Sequence, residues 1–162
     1  MSLNYIEKAN LEARDDVEPQ ETVTAWLRAF GQALASGDET VVASLFEDDG
    51  NWRDVLAFTW HLTPNVGAKD IAKGLVARQP VIQAQGFEIS PNRTQPRRVK
   101  RLGRDCIEAI YRFETKVGRG EGALRLVPAL EGGGAADHKA WVISTSLEEL
   151  KGFEEKIGVR RP

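Results

Sequence analysis

Apolar residues in the first part of the chain recur at steps of three and four positions, which predicts amphipathic helices. The clearest run lies between Pro19, which suits a first helical turn, and Gly37, which suits a helix end. Asp38 then predicts the N-cap of a short second helix that reaches Phe46. The apolar face of the first helix comprises Val23, Trp26, Leu27, Phe30, Ala33 and Leu34.

A third helix is predicted over residues 68–79, and Pro80 is expected to end or kink it. Elsewhere the apolar residues tend to recur at every second position, which predicts strands. Helices followed by a run of antiparallel strands predict an α+β fold, in which a cone-shaped, curved antiparallel or mixed sheet packs on three N-terminal helices. Strands are expected at about 51–56, 58–62, around Phe87 and Ile89, and at 97–103, 105–116, 121–130 and 138–147.

The length of 162 residues predicts one domain that is large enough to bury a core. Residues 1–17 mix both charges with little periodicity, so they are expected to form a flexible N-terminal arm. Residues 18–150 are expected to form a pocket domain, because a curved sheet wrapped around the helices would enclose a cavity. The charged residues from 148 onward predict a helical turn and then an extended segment, with 151–162 as a C-terminal tail.

The composition argues against several classes of partner. A net charge of −2 gives no overall attraction to nucleic acid or to an anionic membrane. No apolar run approaches the ~18 residues of a membrane-spanning helix, and the polar N-terminus lacks a signal-peptide core. We therefore expect a soluble, cytoplasmic protein with no nucleic-acid or membrane partner.

Metal and disulfide chemistry are not indicated by the sequence. Cys106 is the single cysteine, which excludes an intramolecular disulfide framework and a cysteine-cluster metal site. His61 and His138 lie too far apart for a His-x-x-x-His ligand spacing. No metal and no bound organic cofactor are expected.

Two further patterns favour a structural interpretation. A crowded basic segment could bind phosphates, but the lack of interleaved aromatic residues favours a solvated strand edge that resists pairing with other chains. Gly118, Gly120 and Gly122 alternate along the chain and most simply indicate a hairpin turn. The basic residues are Arg93, Arg97, Arg98, Lys100, Arg101 and Arg104.

Asp54 is the main candidate for chemistry. It follows an acidic turn on a short predicted strand and is flanked by Trp52, Val55 and Leu56. A carboxylate held among apolar and aromatic neighbours is disfavoured as the ion, which suits a group that transfers protons. The alternative is a solvated or hydrogen-bonded strand residue with no catalytic role.

Three stretches resemble the nuclear-transport-factor-2-like (NTF2-like) superfamily, which includes ketosteroid isomerase and the SnoaL-like polyketide cyclases. They are Phe30–Asp38, Val42–Asp54 and Val66–Ile71. They match the family's run of helix, Ala-x-x-x-Gly-Asp, helix, Leu-Phe-x-x-Asp-x-x-x-x-Asp, loop and Gly-x-x-x-Ile. The resemblance covers roughly residues 20–147 and implies the family's fold, while many functions occur on this fold.

A closer resemblance is to the N-terminal domain of certain flavin-dependent monooxygenase-like proteins, where this domain precedes an FAD/NAD(P)-binding unit. It is carried by Trp52–Trp60 and Lys139–Gly152, and Glu154–Pro162 resembles the link into that unit. The chain has no G-x-G-x-x-G in a strand–helix setting, so FAD binding through such a turn is not expected. The resemblance implies a free-standing relative or one part of a split system with a flavoprotein partner.

The resemblance to ketosteroid isomerase gives only part of that enzyme's machinery. Asp54 matches the base aspartate, whereas Phe30 stands at the position of the oxyanion tyrosine. The strand that should carry the second aspartate, 121–130, contains none. Because losing one such donor costs roughly 10²–10³ in rate, steroid isomerisation is not expected. The resemblance also implies dimerisation through the outer face of the sheet.

The functional expectation is a small-molecule-binding, SnoaL-like protein that takes an apolar or aromatic ligand. If it is an enzyme, it is expected to use Asp54 as the base of an isomerase or cyclase. The alternative is a non-catalytic accessory or dimerisation module beside a flavin-dependent monooxygenase, and each aromatic candidate could instead belong to the core or a dimer interface. The candidate ligand-binding residues are Trp26, Phe30, Trp52, Trp60, His61, Tyr111 and Trp141.

Overall fold

The computed structural model describes residues 5–62, 64–129 and 137–156, with side chains described from Glu18 onward. Within these ranges there are three helices and seven strands. Two helices precede the strands, and the third lies between the second and third strands. The helices are α1 (Tyr5–Ser36), α2 (Glu39–Ala43) and α3 (Ala68–Ile82). The strands are β1 (Phe46–Val55), β2 (Asn65–Val66), β3 (Gln85–Ile89), β4 (Arg97–Arg101), β5 (Arg104–Glu114), β6 (Gly118–Pro128) and β7 (His138–Leu150).

The strands form one curved, unclosed mixed sheet in the order β2-β1-β7-β6-β5-β3, and β4 pairs with the first half of β5 beside β3. The pairing of β1 with β7 is parallel, and the other pairings are antiparallel. Helix α1 packs on β3, β4, β5 and β7, while α3 packs on β1 and β2. The predicted α+β architecture of a curved sheet on three helices is confirmed.

The core lies between the helices and one face of the sheet. The apolar stripe predicted for the first helix is buried, as are strand residues on the facing side. Asp38 caps α2 as predicted, because its Oδ1 accepts the backbone N–H of Thr40 at 2.9 Å and of Val41 at 3.3 Å. The buried strand residues include Ile107, Ala109, Tyr111, Phe113, Leu124, Leu126 and Ile143.

Several predicted boundaries are wrong. Helix α1 begins at Tyr5, so Pro19 lies inside it, and α2 ends at Ala43 because Phe46 already belongs to β1. Pro80 lies inside α3, which continues to Ile82 and ends where Gln83 adopts a left-handed conformation at φ 52°. The start of the predicted C-terminal helical turn is strand instead, because β7 runs to Leu150.

The division of the chain into arm, pocket domain and tail stays a prediction. Residues 1–4, 63, 130–136 and 157–162 lie outside the described residues.

Candidate functional site

Asp54 lies near the end of β1 and has no exposed surface. Its Oδ1 accepts hydrogen bonds from the Thr145 hydroxyl at 2.5 Å and the Phe58 N–H at 3.0 Å. Its Oδ2 accepts from the Phe58 N–H at 3.0 Å and the Thr59 N–H at 2.8 Å. The Thr145 hydroxyl in turn accepts from Trp52 Nε1 at 2.9 Å. Both carboxylate oxygens are therefore bound by donors of the chain itself.

These hydrogen bonds turn the backbone directly after β1, where a second strand over 58–62 was predicted. That prediction is wrong because the Asp54 carboxylate takes the N–H groups that a strand would donate to a neighbour. Leu56 adopts φ 63°, a left-handed conformation that costs a non-glycine residue roughly 1–2 kcal/mol. The Thr59 hydroxyl donates to the His61 carbonyl at 2.6 Å and accepts from the His61 N–H at 3.2 Å, which closes the turn.

Aromatic rings fill the interior beside Asp54. The Asp54 carboxylate binds the backbone of Phe58 and Thr59, and we call this segment the clamped turn. Within it, Phe58 is 4% exposed and packs its ring edge-on against Trp52. Successive ring centroids are 4.9–6.2 Å apart, the range of favourable aromatic contacts. The predicted hollow is therefore occupied here by the chain's own side chains. The rings connect in the order Trp26, Phe30, Phe87, Phe113, Phe58 and Trp52.

Tyr111 belongs to the same buried layer. Its hydroxyl donates to the Ser144 carbonyl at 2.6 Å, across β6, which lies between β5 and β7. Burial raises the pKa of Tyr111 well above its usual value, and the negative charge of Asp54 raises it further. At neutral pH the phenol is therefore a protonated donor that is already bound to the backbone.

Gly120 and Gly122 in β6 make room for these rings. The prediction of a simple hairpin turn is wrong for Gly120 and Gly122, which lie inside the strand. A Cβ on Gly120 would lie 2.3 Å from Phe113 Cζ, and a Cβ on Gly122 would lie 2.8 Å from the Tyr111 hydroxyl. The aromatic rings of β5 thus lie over positions of β6 that have no side chain.

The structure divides the candidate ligand-binding residues into separate groups. Trp26, Phe30, Trp52 and Tyr111 are fully buried in the aromatic interior. Trp60 and His61 do not join them, because the turn clamped by Asp54 directs both into solvent and leaves Trp60 82% exposed. Trp141 lies elsewhere, half-buried with the Arg104 guanidinium 5.1 Å from its ring centroid.

A groove that the sequence analysis did not identify lies on the side of the sheet that faces the helices. Ile107 and Leu126 are cross-strand partners in its floor and belong to the buried core. Arg98 is the cross-strand partner of Ile107, so it projects from the same face. The groove has a volume of about 450 Å³. We call it the helix-side groove and define it by Arg98, Lys100, Ile107, Leu126, Pro128 and His138.

Ion pairs occupy the rim of the helix-side groove. Arg98 Nη2 lies 2.7 Å from Glu18 Oε1 on α1, and both side chains are at least half exposed. Lys100 Nζ lies 3.6 Å from Asp105 Oδ1, and these side chains are more exposed still. Burial and the positive charge of Arg98 lower the pKa of His138, so its imidazole is neutral at pH 7.

The remaining basic residues of the crowded segment are also paired. Glu108 accepts from Arg101 at 2.9 and 3.1 Å and from Arg125 at 3.0 Å. These hydrogen bonds, those of Arg101 above all, hold the pKa of Glu108 at about 2 despite its partial burial. Arg93 pairs with Glu121, Arg97 with Glu108 and Arg104 with Glu47. The favoured interpretation of a solvated strand edge agrees with this pairing.

Within the part of the chain that the structure describes, no group of three or more His, Cys, Asp or Glu side chains is arranged to hold a metal ion. None of the helices in the described ranges is both long and apolar enough to span a membrane.

No model of a protein family matches the chain, and no curated protein matches its sequence. Similar solved structures exist. A ketosteroid isomerase-like protein from Erwinia carotovora atroseptica has a TM-score of 0.55 at 14% identity, over 80% of this chain and 96% of that chain. An NTF2-like protein with a cystatin-like fold from Novosphingobium aromaticivorans has a TM-score of 0.53 at 14% identity, over 91% of each chain.

A domain of unknown function from Nostoc punctiforme, also with a cystatin-like fold, has a TM-score of 0.53 at 12% identity, over 81% of this chain and 78% of that chain. At such low identity these similarities describe the backbone and not the site. The predicted link to flavin-dependent monooxygenase domains, the flavoprotein partner and the homodimer stay predictions. The similar solved structures show that the chain has the NTF2-like, cystatin-like fold.

Proposed function

We propose that this protein binds a small molecule in the helix-side groove. The observation that carries the proposal is a groove of about 450 Å³ whose floor consists of core residues on the helix-facing side of the sheet. Ligand sites commonly have volumes of ~300–1,000 Å³, an apolar lining and a few polar groups. Ile107 and Leu126 supply the apolar floor here, and Arg98, Lys100 and His138 supply polar groups at the rim.

The groove suits an apolar or aromatic ligand of moderate length. It extends across the sheet from β4 through β5 and β6 to β7, since its residues belong to these four strands. Three spacings between neighbouring strands amount to roughly 14 Å. A ring with a short side chain fits this length.

The proposal gives Asp54 a structural role. The carboxylate has no exposed surface and is bound by the Phe58 and Thr59 N–H groups and the Thr145 hydroxyl. A substrate would have to displace the clamped turn to reach it. The name of the Erwinia protein refers to ketosteroid isomerase, but we extend only ligand binding, and not isomerisation, to this chain.

Calorimetric titration with cinnamamide, a neutral aromatic probe, tests this proposal. Pro128 is exposed at the rim, so Pro128→Trp fills the groove without removing a core side chain. We expect the wild-type protein to bind cinnamamide and Pro128→Trp to bind it at least about tenfold more weakly. Val81→Trp on the exposed surface of α3 is the matched control and should keep the wild-type affinity. Equal binding by all three proteins would place the ligand elsewhere and refute the proposal.

A further inference from the structure

The helix-side groove has an asymmetric distribution of charge. Arg98 and Lys100 lie at its β4 edge, two residues apart on one face of the strand. The centre is apolar, and the neutral His138 lies at the far side on β7. A ligand that spans the groove therefore meets cations at one end and an uncharged hydrogen-bonding ring at the other.

The two cations differ in the origin of their partners. Lys100 pairs with Asp105, which lies opposite it in the β4–β5 hairpin. Arg98 pairs instead with Glu18, which reaches the groove from helix α1. Glu18 is thus a carboxylate from another element, seated on the guanidinium at the edge of an otherwise apolar groove.

The Arg98–Glu18 pair is easy to exchange. Its side chains are 50% and 61% exposed, and exposed ion pairs contribute at most about 1 kcal/mol. A guanidinium binds a carboxylate through two parallel N–H donors, which favours a planar anion of the Glu18 type. A ligand carboxylate attached to an apolar body would make the same bond, and the apolar body would lie in the groove above Ile107 and Leu126.

We propose that the ligand of the helix-side groove is an aromatic or apolar carboxylate whose anionic group binds Arg98 in place of Glu18. This inference rests on the proposed function, because it assigns the chemical class of the ligand in that same groove. Glu18 is then an internal competitor that lowers the affinity for anions and leaves the affinity for neutral ligands unchanged. Arg98 determines specificity for the acid over its neutral analogue.

Cinnamate and cinnamamide, which share the ring and differ in charge, test this inference by calorimetry on the full chain. The wild-type protein should bind cinnamate more tightly than cinnamamide. Arg98→Gln should weaken the binding of cinnamate by up to about fivefold, because an exposed ion pair contributes at most about 1 kcal/mol, and should change the binding of cinnamamide by less than about twofold. Glu18→Gln should strengthen the binding of cinnamate several-fold and leave the binding of cinnamamide unchanged.

Arg93→Gln is the matched control, since Arg93 is a similarly exposed arginine that pairs with Glu121 outside the groove. It should bind both probes like the wild type. Equal or weaker binding of cinnamate than of cinnamamide, or no effect of either Arg98→Gln or Glu18→Gln, would overturn the inference while the proposed function stands. Failure of both probes to bind the wild-type protein would overturn the proposed function itself.

Discussion

At the scale of single residues, the most informative side chain is Asp54, and its environment differs from what its neighbours in sequence indicated. Its flanking apolar residues suggested a carboxylate available for proton transfer. The structure shows a buried carboxylate that binds the backbone of Phe58 and Thr59 and the hydroxyl of Thr145. The partner Thr145 lies 91 positions away in sequence, so no local pattern could reveal this contact.

Asp54→Asn tests this structural role. An amide keeps one acceptor oxygen but presents an NH₂ group where Oδ2 accepts the Thr59 N–H, so a donor of the turn loses its partner. We expect a loss of about 1–3 kcal/mol in the free energy of unfolding, measured by urea denaturation. Asp48→Asn, at an exposed position of the same strand, is the control and should stay within about 0.5 kcal/mol of the wild type. Unchanged stability of Asp54→Asn would contradict a structural role for Asp54.

At the scale of elements, strand β6 acts as a platform for the aromatic rings of β5. Gly120 faces Phe113, and Gly122 faces Tyr111, as cross-strand partners. The missing side chains let each ring lie against the sheet. They also let the Tyr111 hydroxyl reach Ser144 on β7. The spacing of the glycines was visible in the sequence, but its meaning depended on the register between β5 and β6.

Gly122→Ala should destabilise the protein by about 1–3 kcal/mol or more, because overpacking in a filled core forces the backbone or a ring to move. The added Cβ would lie 1.9 Å from the Ser144 carbonyl oxygen, a backbone atom. Gly31→Ala in α1 is the matched control, since its Cβ would meet a Phe87 ring carbon at 3.4 Å and alanine favours helices. Thermal unfolding followed by circular dichroism compares the two variants. A smaller loss of stability for Gly122→Ala than for Gly31→Ala would contradict the claim that Gly122 makes room for Tyr111.

The pairing of Glu108 with Arg101 and Arg125 predicts that the stability of the fold depends on pH. Its folded pKa of about 2 lies below the ordinary 4.5, so Glu108 stabilises the fold above about pH 4.5, and this contribution is lost as the pH falls toward 2. Glu108→Gln should therefore be less stable than the wild type at pH 7, with a difference in Tm that narrows between pH 4.5 and 2. Glu88→Gln, at an exposed ion pair, is the control. A difference that stays constant over this range would argue against the cluster.

At the scale of the whole molecule, the periodicity of the sequence predicted the fold class and most elements, because the burial of one face determines both helix and strand patterns. It could not place the groove. Arg98 and His138 line the same groove only because β4 pairs with β5, β5 with β6 and β6 with β7. It also grouped Trp60 with the ligand-binding candidates, because the turn that exposes this side chain is not visible in the sequence.

The same limit applies to the interior. Most of the candidate ligand-binding residues are aromatic, but the sequence does not show whether such residues line a cavity or pack on one another. Here Trp52 packs on Phe58 and Trp26 stacks on Phe30, so the rings satisfy one another. Ligand binding is therefore proposed for the helix-side groove, which lies apart from these rings on strands β4 to β7.

A titration of isotopically labelled protein with cinnamate, followed by backbone amide NMR spectra, tests the location of the ligand most directly. We predict that the largest shift changes occur at Arg98, Ile107, Leu126 and His138, while the amides of Phe58 and Thr59 in the clamped turn change little. Dominant changes at Phe58, Thr59 and Asp54 would show that the ligand enters the aromatic interior, and would contradict the assignment of binding to the groove.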